Sequence, residues 1–190
     1  IKAVISNDSE LEARVNTGVS VDLNSPAPVG GATVHVTAGP AIELRFQWND
    51  RYSYHEIDVV VPEGQTRQSF SIEANYVSEP TPTTIAATYG TSSASTIVTA
   101  IPAPLTGAYG PPSAIGGLVF WGSLAFRGVA PNPDVTFESS EPLLVTVPAG
   151  VDPDSYYYPG MGIWTSWSFL VKTEAVLQPT PVTITARYRG

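Results

Sequence analysis

Residues 80–89 read PTPTTIAATY and residues 179–188 read PTPVTITARY, identical at seven of ten positions. Unrelated windows of that length share about one position at average residue usage, so the chain is one module written twice. The copies lie 99 residues apart, which suits a small two-sheet sandwich. A chain of 190 residues holds two such modules, each able to bury a core with little surplus. The boundary is expected near Ile101, giving modules over 1–101 and 102–190.

Val, Ile, Thr and Tyr alternate in short runs that 18 Pro and 16 Gly interrupt. No long segment carries a 3.6-residue period, so the fold class is all-β and antiparallel. Successive side chains of a strand face opposite ways, and one parity of each run lines a core. For module one these are Val15, Val19, Val21 and Leu23, then Val34 and Val36, then Phe70, Ile72 and Ala74, then Ile85, Ala87 and Tyr89. Module two repeats the scheme with Leu118, Phe120 and Leu124, then Val135 and Phe137, then Trp167, Phe169 and Val171, and finally Ile184, Ala186 and Tyr188. Between them Pro102, Pro104, Pro111 and Pro112 fix φ and make a short, stiff connector, part of which serves as the first strand of module two.

With 9 Lys plus Arg against 17 Asp plus Glu, a formal net charge of −8, the chain opposes phosphate binding, and nucleic acid is excluded as a partner. It has no cysteine, hence no disulfide framework, thiolate metal site or thiol nucleophile. No run approaches the ~20 apolar residues of a membrane span. The chain opens at Ile1 without a basic and apolar leader, which reads as a mature or trimmed form. The two histidines, His35 and His55, stand in no Ser, His and acid arrangement, so no catalytic centre is expected. Asp152 with Asp154, and Asp8 with Glu10 and Glu12, each offer too few oxygens for a hard cation that takes six to eight. No metal and no cofactor is expected.

The stretches LNSPAPVGGATVHVTAG, VVVPEGQTRQSFSIEA and PTPTTIAATYG resemble the bacterial immunoglobulin-like repeats of large secreted and surface proteins. Module two keeps SSEPLLVTVPAG, WSFLVKT and PTPVTITARYRG, but has VAPNPD in place of the Gly-Gly turn and lengthens its second turn to YYYPGMGIW. The resemblance implies tandem immunoglobulin-like sandwiches with a spacer, stalk or adhesion role and no particular ligand.

Module one departs from that pattern where Ile42, Leu44, Phe46 and Trp48 alternate with polar residues and run into Asn49 and Asp50. This reads as a long hairpin with RYSYHEIDVVV as its returning strand. Two readings stay open: a hairpin with Trp48 half buried, or a binding surface of Trp48, Tyr52, Tyr54 and His55. In module two Trp121 has the parity opposite to the core, and Tyr156, Tyr157, Tyr158 and Trp164 decorate the lengthened turn. Flat rings with a polar edge suit protein contacts or sugar faces. The partners expected are other protein subunits, by self-association or in a larger assembly, with glycans as the second class.

The first copy of the repeat continues into TSSASTIVTA, whereas only Arg189 and Gly190 follow the second. If both modules fold alike, module two lacks its last strand and exposes a strand edge. Either the native chain continues, or another chain donates the strand, with IKAVIS as a candidate donor. The expected function is a non-enzymatic, extracellular or cell-surface structural or adhesion protein, a building block of an appendage, filament, stalk or virus exterior. The alternative is a carbohydrate-binding module.

Overall fold

The computed structural model describes residues 1–46, 52–128, 130, 133–152 and 164–188. Contacts divide the chain into two compact units, Ile1–Pro102 and Ala103–Gly190, called modules one and two below. Among the described residues no helix is long and apolar enough to cross a membrane.

Module one contains β1 (Ala3–Ser6), β2 (Glu10–Glu12), β3 (Asn16–Asp22), β4 (Ala32–Ala38), β5 (Ile42–Arg45), β6 (Glu56–Val61), β7 (Arg67–Ala74), β8 (Thr81–Tyr89) and β9 (Ser92–Ile101). They form two sheets, ordered β1-β3-β7-β5 and β2-β9-β8-β4-β6. All named pairs are antiparallel except β2 with β9, which run parallel. The alternating apolar residues meet between the sheets, where Val19, Val21, Val34, Val36, Ile72 and Ile85 are buried. The orders β1-β3-β7-β5 and β9-β8-β4 are those of an immunoglobulin-like sandwich.

The Gly-Gly turn between β3 and β4 is sterically required. Gly30 and Gly31 have φ of +86° and +84°, in the region that side chains disfavour. A Cβ on Gly31 would also lie 2.9 Å from the Val61 carbonyl oxygen.

Module two contains β10 (Leu105–Tyr109), β11 (Val119–Arg127), β12 (Val135–Ser139), β13 (Val145–Thr146), β14 (Trp164–Thr173) and β15 (Ile184–Tyr188). Its sheets are β10-β11-β14-β13 and the two-stranded β12-β15. Leu124, Phe126, Trp167, Phe169 and Val171 form the centre of its core. The indole of Trp167 donates from Nε1 to the Ala130 carbonyl at 2.7 Å, giving a buried polar group the partner it needs. Part of the proline stretch at the boundary is sheet, β10 over Leu105–Tyr109.

Four expectations are corrected. Residues 52–61 return beside β5 only where Tyr54 pairs with Leu44, and β6 then pairs with β4 in the opposite sheet instead of extending a hairpin. Its apolar residues Ile57, Val59 and Val61 thereby reach the core. Leu118 is exposed because β11 starts at Val119 and Leu118 belongs to the preceding turn. Tyr89, at the end of β8, is likewise exposed. IKAVIS is not a free donor, because residues 3–6 pair with β3 and bury Val4.

Candidate functional site

Strand register shows which residues of the two modules correspond. Val19 of β3 faces Phe70 of β7, and Gly122 of β11 faces Phe169 of β14. Val36 of β4 faces Ala87 of β8, and Phe137 of β12 faces Ala186 of β15. β15 is therefore the counterpart of β8, in agreement with the repeated decapeptide. Their surroundings differ: β8 lies between β4 and β9, whereas among the described residues β15 pairs with β12 alone.

The open edge can be assigned group by group. Alternate residues of an antiparallel strand direct their N–H and C=O to opposite sides. The Ser140 N–H donates to the Thr183 carbonyl at 2.9 Å, and the Thr183 N–H donates to Ser140 Oγ at 3.0 Å, so Thr183 faces β12. Ile184 and Ala186 consequently face away from it. In module one the equivalent Ile85 and Ala87 stand opposite Thr96 and Ala94 of β9. The side chains report the same difference, since Ile85 and Ala87 are 0% exposed while Ile184 and Ala186 are only partly covered.

Beside this edge lies a groove of about 750 Å³. Ile184 and Ala186 of β15 line it together with Ala108 and Tyr109 of β10, and Phe120 and Phe169 add aromatic surface. Glu174 is its charged lining residue. In module one the space between β8 and β1 is filled by β9, which touches both, and the Ile1 ammonium donates to Ser92 Oγ there at 2.6 Å. The groove occupies the position that β9 occupies in module one. The repeat of PTPTTIAATY as PTPVTITARY, which makes β15 the counterpart of β8, was the sequence signal for it. Tyr109 and the Pro111–Ala114 stretch, which also line it, carried no signal because they lie far from β15 in sequence.

Of the aromatic residues singled out from sequence, the side chains of Trp121, Tyr52 and Tyr54 are described. Trp121 stands on the outer face of β11, 55% exposed and opposite Leu170. Trp164 opens β14 opposite Arg127, six residues from Leu170, a backbone separation of about 20 Å at ~3.3 Å per residue. Trp48 and Tyr156, Tyr157 and Tyr158 lie outside the described residues, as does the side chain of Trp164. Tyr52 and Tyr54 are exposed in module one, where Tyr54 meets Phe46 edge-on with ring centroids 6.0 Å apart.

Among the described residues the charged groups with displaced pKa, Asp22, Arg67 and Glu73, lie on the β1-β3-β7-β5 sheet of module one. Arg67 donates to both carboxylate oxygens of Asp22 at 2.7 Å, which holds that carboxyl below its ordinary range. Glu73 meets Arg14 at 2.8 Å and Arg45 at 3.0 Å, yet burial pushes its pKa up. His35 is half exposed against Asp58 at 2.9 Å. Among the described residues no cluster of His, Asp and Glu could hold a metal ion.

No family model matches the chain, and no curated protein matches it in sequence. Among solved structures it is similar to bovine butyrophilin, with 10% identity over 97% of this chain and 91% of that one and a TM-score of 0.34. It is also similar to Escherichia coli alpha-2-macroglobulin activated by porcine elastase, at 11% identity, covering 97% of this chain but 21% of that one, TM-score 0.35. A third is the type II cohesin dyad of the ScaA scaffoldin of Acetivibrio cellulolyticus, at 7% identity over 96% of this chain and 86% of that one, TM-score 0.35. Scores this low transfer no function, and the fold stands on the strand order described above.

Proposed function

We propose that this chain is a non-enzymatic structural protein of the cell exterior, in which a β-strand from a neighbouring subunit completes module two and links the subunits. The observation that carries the reading is the apolar groove beside Ile184 and Ala186, on the side of β15 turned away from β12, where no strand pairs with it among the described residues. Exposed strand edges are normally blunted or covered, because their N–H and C=O groups recruit other strands. Strand addition satisfies those groups through main-chain bonds and takes specificity from alternate side chains. The mechanical role follows from the same geometry, since sheets bonded along their length resist extension. The sequence resemblance to bacterial immunoglobulin-like repeats and the acidic, cysteine-free composition accord with an extracellular building block.

The test is a photoreactive residue placed at Tyr109, on the groove, and at Trp121, on the outer face, in the native-length protein within its own assembly. Crosslinks from position 109, mapped by mass spectrometry to one alternating segment of a second polypeptide and absent from position 121, support the reading. Crosslinks from 109 only to residues of the same polypeptide overturn the link between subunits.

A further inference from the structure

The groove has a second edge. In module one β2 runs parallel to β9 and pairs Glu10 with Thr99, Leu11 with Ala100 and Glu12 with Ile101. Thr99 donates to the Ser9 carbonyl at 2.9 Å, and Ala13 donates to the Ile101 carbonyl at 3.1 Å. β9 is thus held antiparallel by β8 on one side and parallel by β2 on the other.

Two hydrogen bonds locate the counterpart of β2. Arg14, the non-glycine residue with φ of +65°, donates to the Ala74 carbonyl at 2.7 Å, and Val15 donates to the Glu12 carbonyl at 2.9 Å. Module two repeats both: Gly117, with φ of +85°, donates to the Thr173 carbonyl at 3.1 Å, and Leu118 donates to the Ile115 carbonyl at 3.3 Å. Ala74 and Thr173 end β7 and β14 at matching register. Arg14 therefore corresponds to Gly117, Glu12 to Ile115, Leu11 to Ala114 and Ser9 to Pro112. Leu11 is 3% exposed under β9, whereas its counterpart Ala114 is exposed and lines the groove. Proline is tolerated at 112 because the corresponding Ser9 contributes its carbonyl to the ladder, and proline keeps that group.

We infer that the groove takes one extended segment of the chemistry of β9, clamped antiparallel to β15 and parallel to residues 113–115, with small and β-branched side chains turned inward. This rests on the strand-addition reading above and specifies its occupant. Beside β15, Thr96 of such a segment would stand opposite Ile184 and Ala94 opposite Ala186, as Thr96 and Ala94 stand opposite Ile85 and Ala87 in module one. The inward set of β9 is Ser92, Ala94, Thr96, Val98 and Ala100, all small enough to pass over Phe120 and Phe169. On the other edge Pro112 would accept, and Ala114 and Gly116 would donate, as Ser9, Leu11 and Ala13 are placed to do beside β9.

The probe is the synthetic peptide TSSASTIVTAI, residues 91–101, added to the full chain and followed by residue-resolved amide exchange. Saturable binding that slows exchange about tenfold or more at Ile184 and Ala186, and also at Ala114 and Gly116, is the expected result. A peptide with Thr96 and Thr99 replaced by proline, which lacks the donor beside Ile184 and the donor for the Pro112 carbonyl, should protect neither. Protection of Ile184 and Ala186 without Ala114 and Gly116 would overturn the two-edged clamp and leave strand addition standing. Protection of neither edge at millimolar peptide would overturn the β9-like occupant, while the crosslinks from position 109 judge strand addition separately. Equal protection by the proline peptide would overturn the ladder itself.

Discussion

Gly122 is the position where module two is most sensitive to one added carbon. Its counterpart Val19 faces Phe70, but at Gly122 the ring of Phe169 lies directly over the backbone. A Cβ built there falls 2.3 Å from Phe169 Cζ and 2.7 and 2.8 Å from Cε2 and Cε1. Carbon atoms rest about 3.5–4.0 Å apart, so the ring must retreat by about 1.2 Å or more. Phe137 stands against it, with ring centroids 4.4 Å apart. Overpacking of this kind costs about 1–3 kcal/mol, and replacing a strand glycine returns about 0.5–1 kcal/mol. Gly122→Ala should therefore destabilise module two by about 0.5–2 kcal/mol. At about 4–8 °C per kcal/mol for a module of this size, a cost in the middle of that range lowers its transition by about 5–10 °C. Scanning calorimetry of the whole chain checks this, with the module one transition as internal reference. Adding Phe169→Leu should recover part of the loss as a favourable coupling energy. An unchanged or raised module two transition, or strictly additive costs in the double variant, would refute the reasoning.

In module one the displaced carboxyls give opposite pH signatures. The folded pKa of Asp22 lies below its unfolded value of about 3.9; its contribution is present above that value and is lost as pH falls through the folded pKa. Arg67→Met should lower the melting temperature at pH 6, and the gap to the parent should close as pH falls toward 2. The folded pKa of Glu73 is raised, so its contribution is greatest below the unfolded value of about 4.3 and is lost as pH rises through the folded pKa. Glu73→Gln, measured by denaturant unfolding, should gain relative to the parent between pH 4 and 8. Arg45→Met is the reverse case, because it leaves Glu43 and Glu73, which face each other across β5 and β7, with Arg14 as the cation between them. A loss of about 3 kcal/mol at pH 7 is expected by the same measurement. Trp121→Ala removes a ring that is 55% exposed on the outer face of β11, and should shift neither melting transition beyond about 0.5 kcal/mol.

Alternation reveals which face of a strand is buried, and so most of the module one core could be read from Val34, Val36, Ile72 and Ile85. It does not reveal which sheet a strand joins. Ile57, Val59 and Val61 have the right parity for a hairpin with β5, yet they lie beside β4. Parity also fails at strand ends, as Leu118 shows, because the period persists in sequence after the strand has stopped. The groove is harder still, since it depends on β10 and β15 meeting across some 75 residues. What could be read was that PTPVTITARY repeats PTPTTIAATY, and the structure shows how differently the two strands are flanked among the described residues. On β15 the outward residues are Thr185 and Arg187, the latter bonded to Glu138 at 3.1 Å, while Ile184 and Ala186 turn inward. A strand joining this edge must carry the same division between its two faces. A slip of one residue would place its polar set over Phe120 and Phe169, so the groove selects register as well as partner.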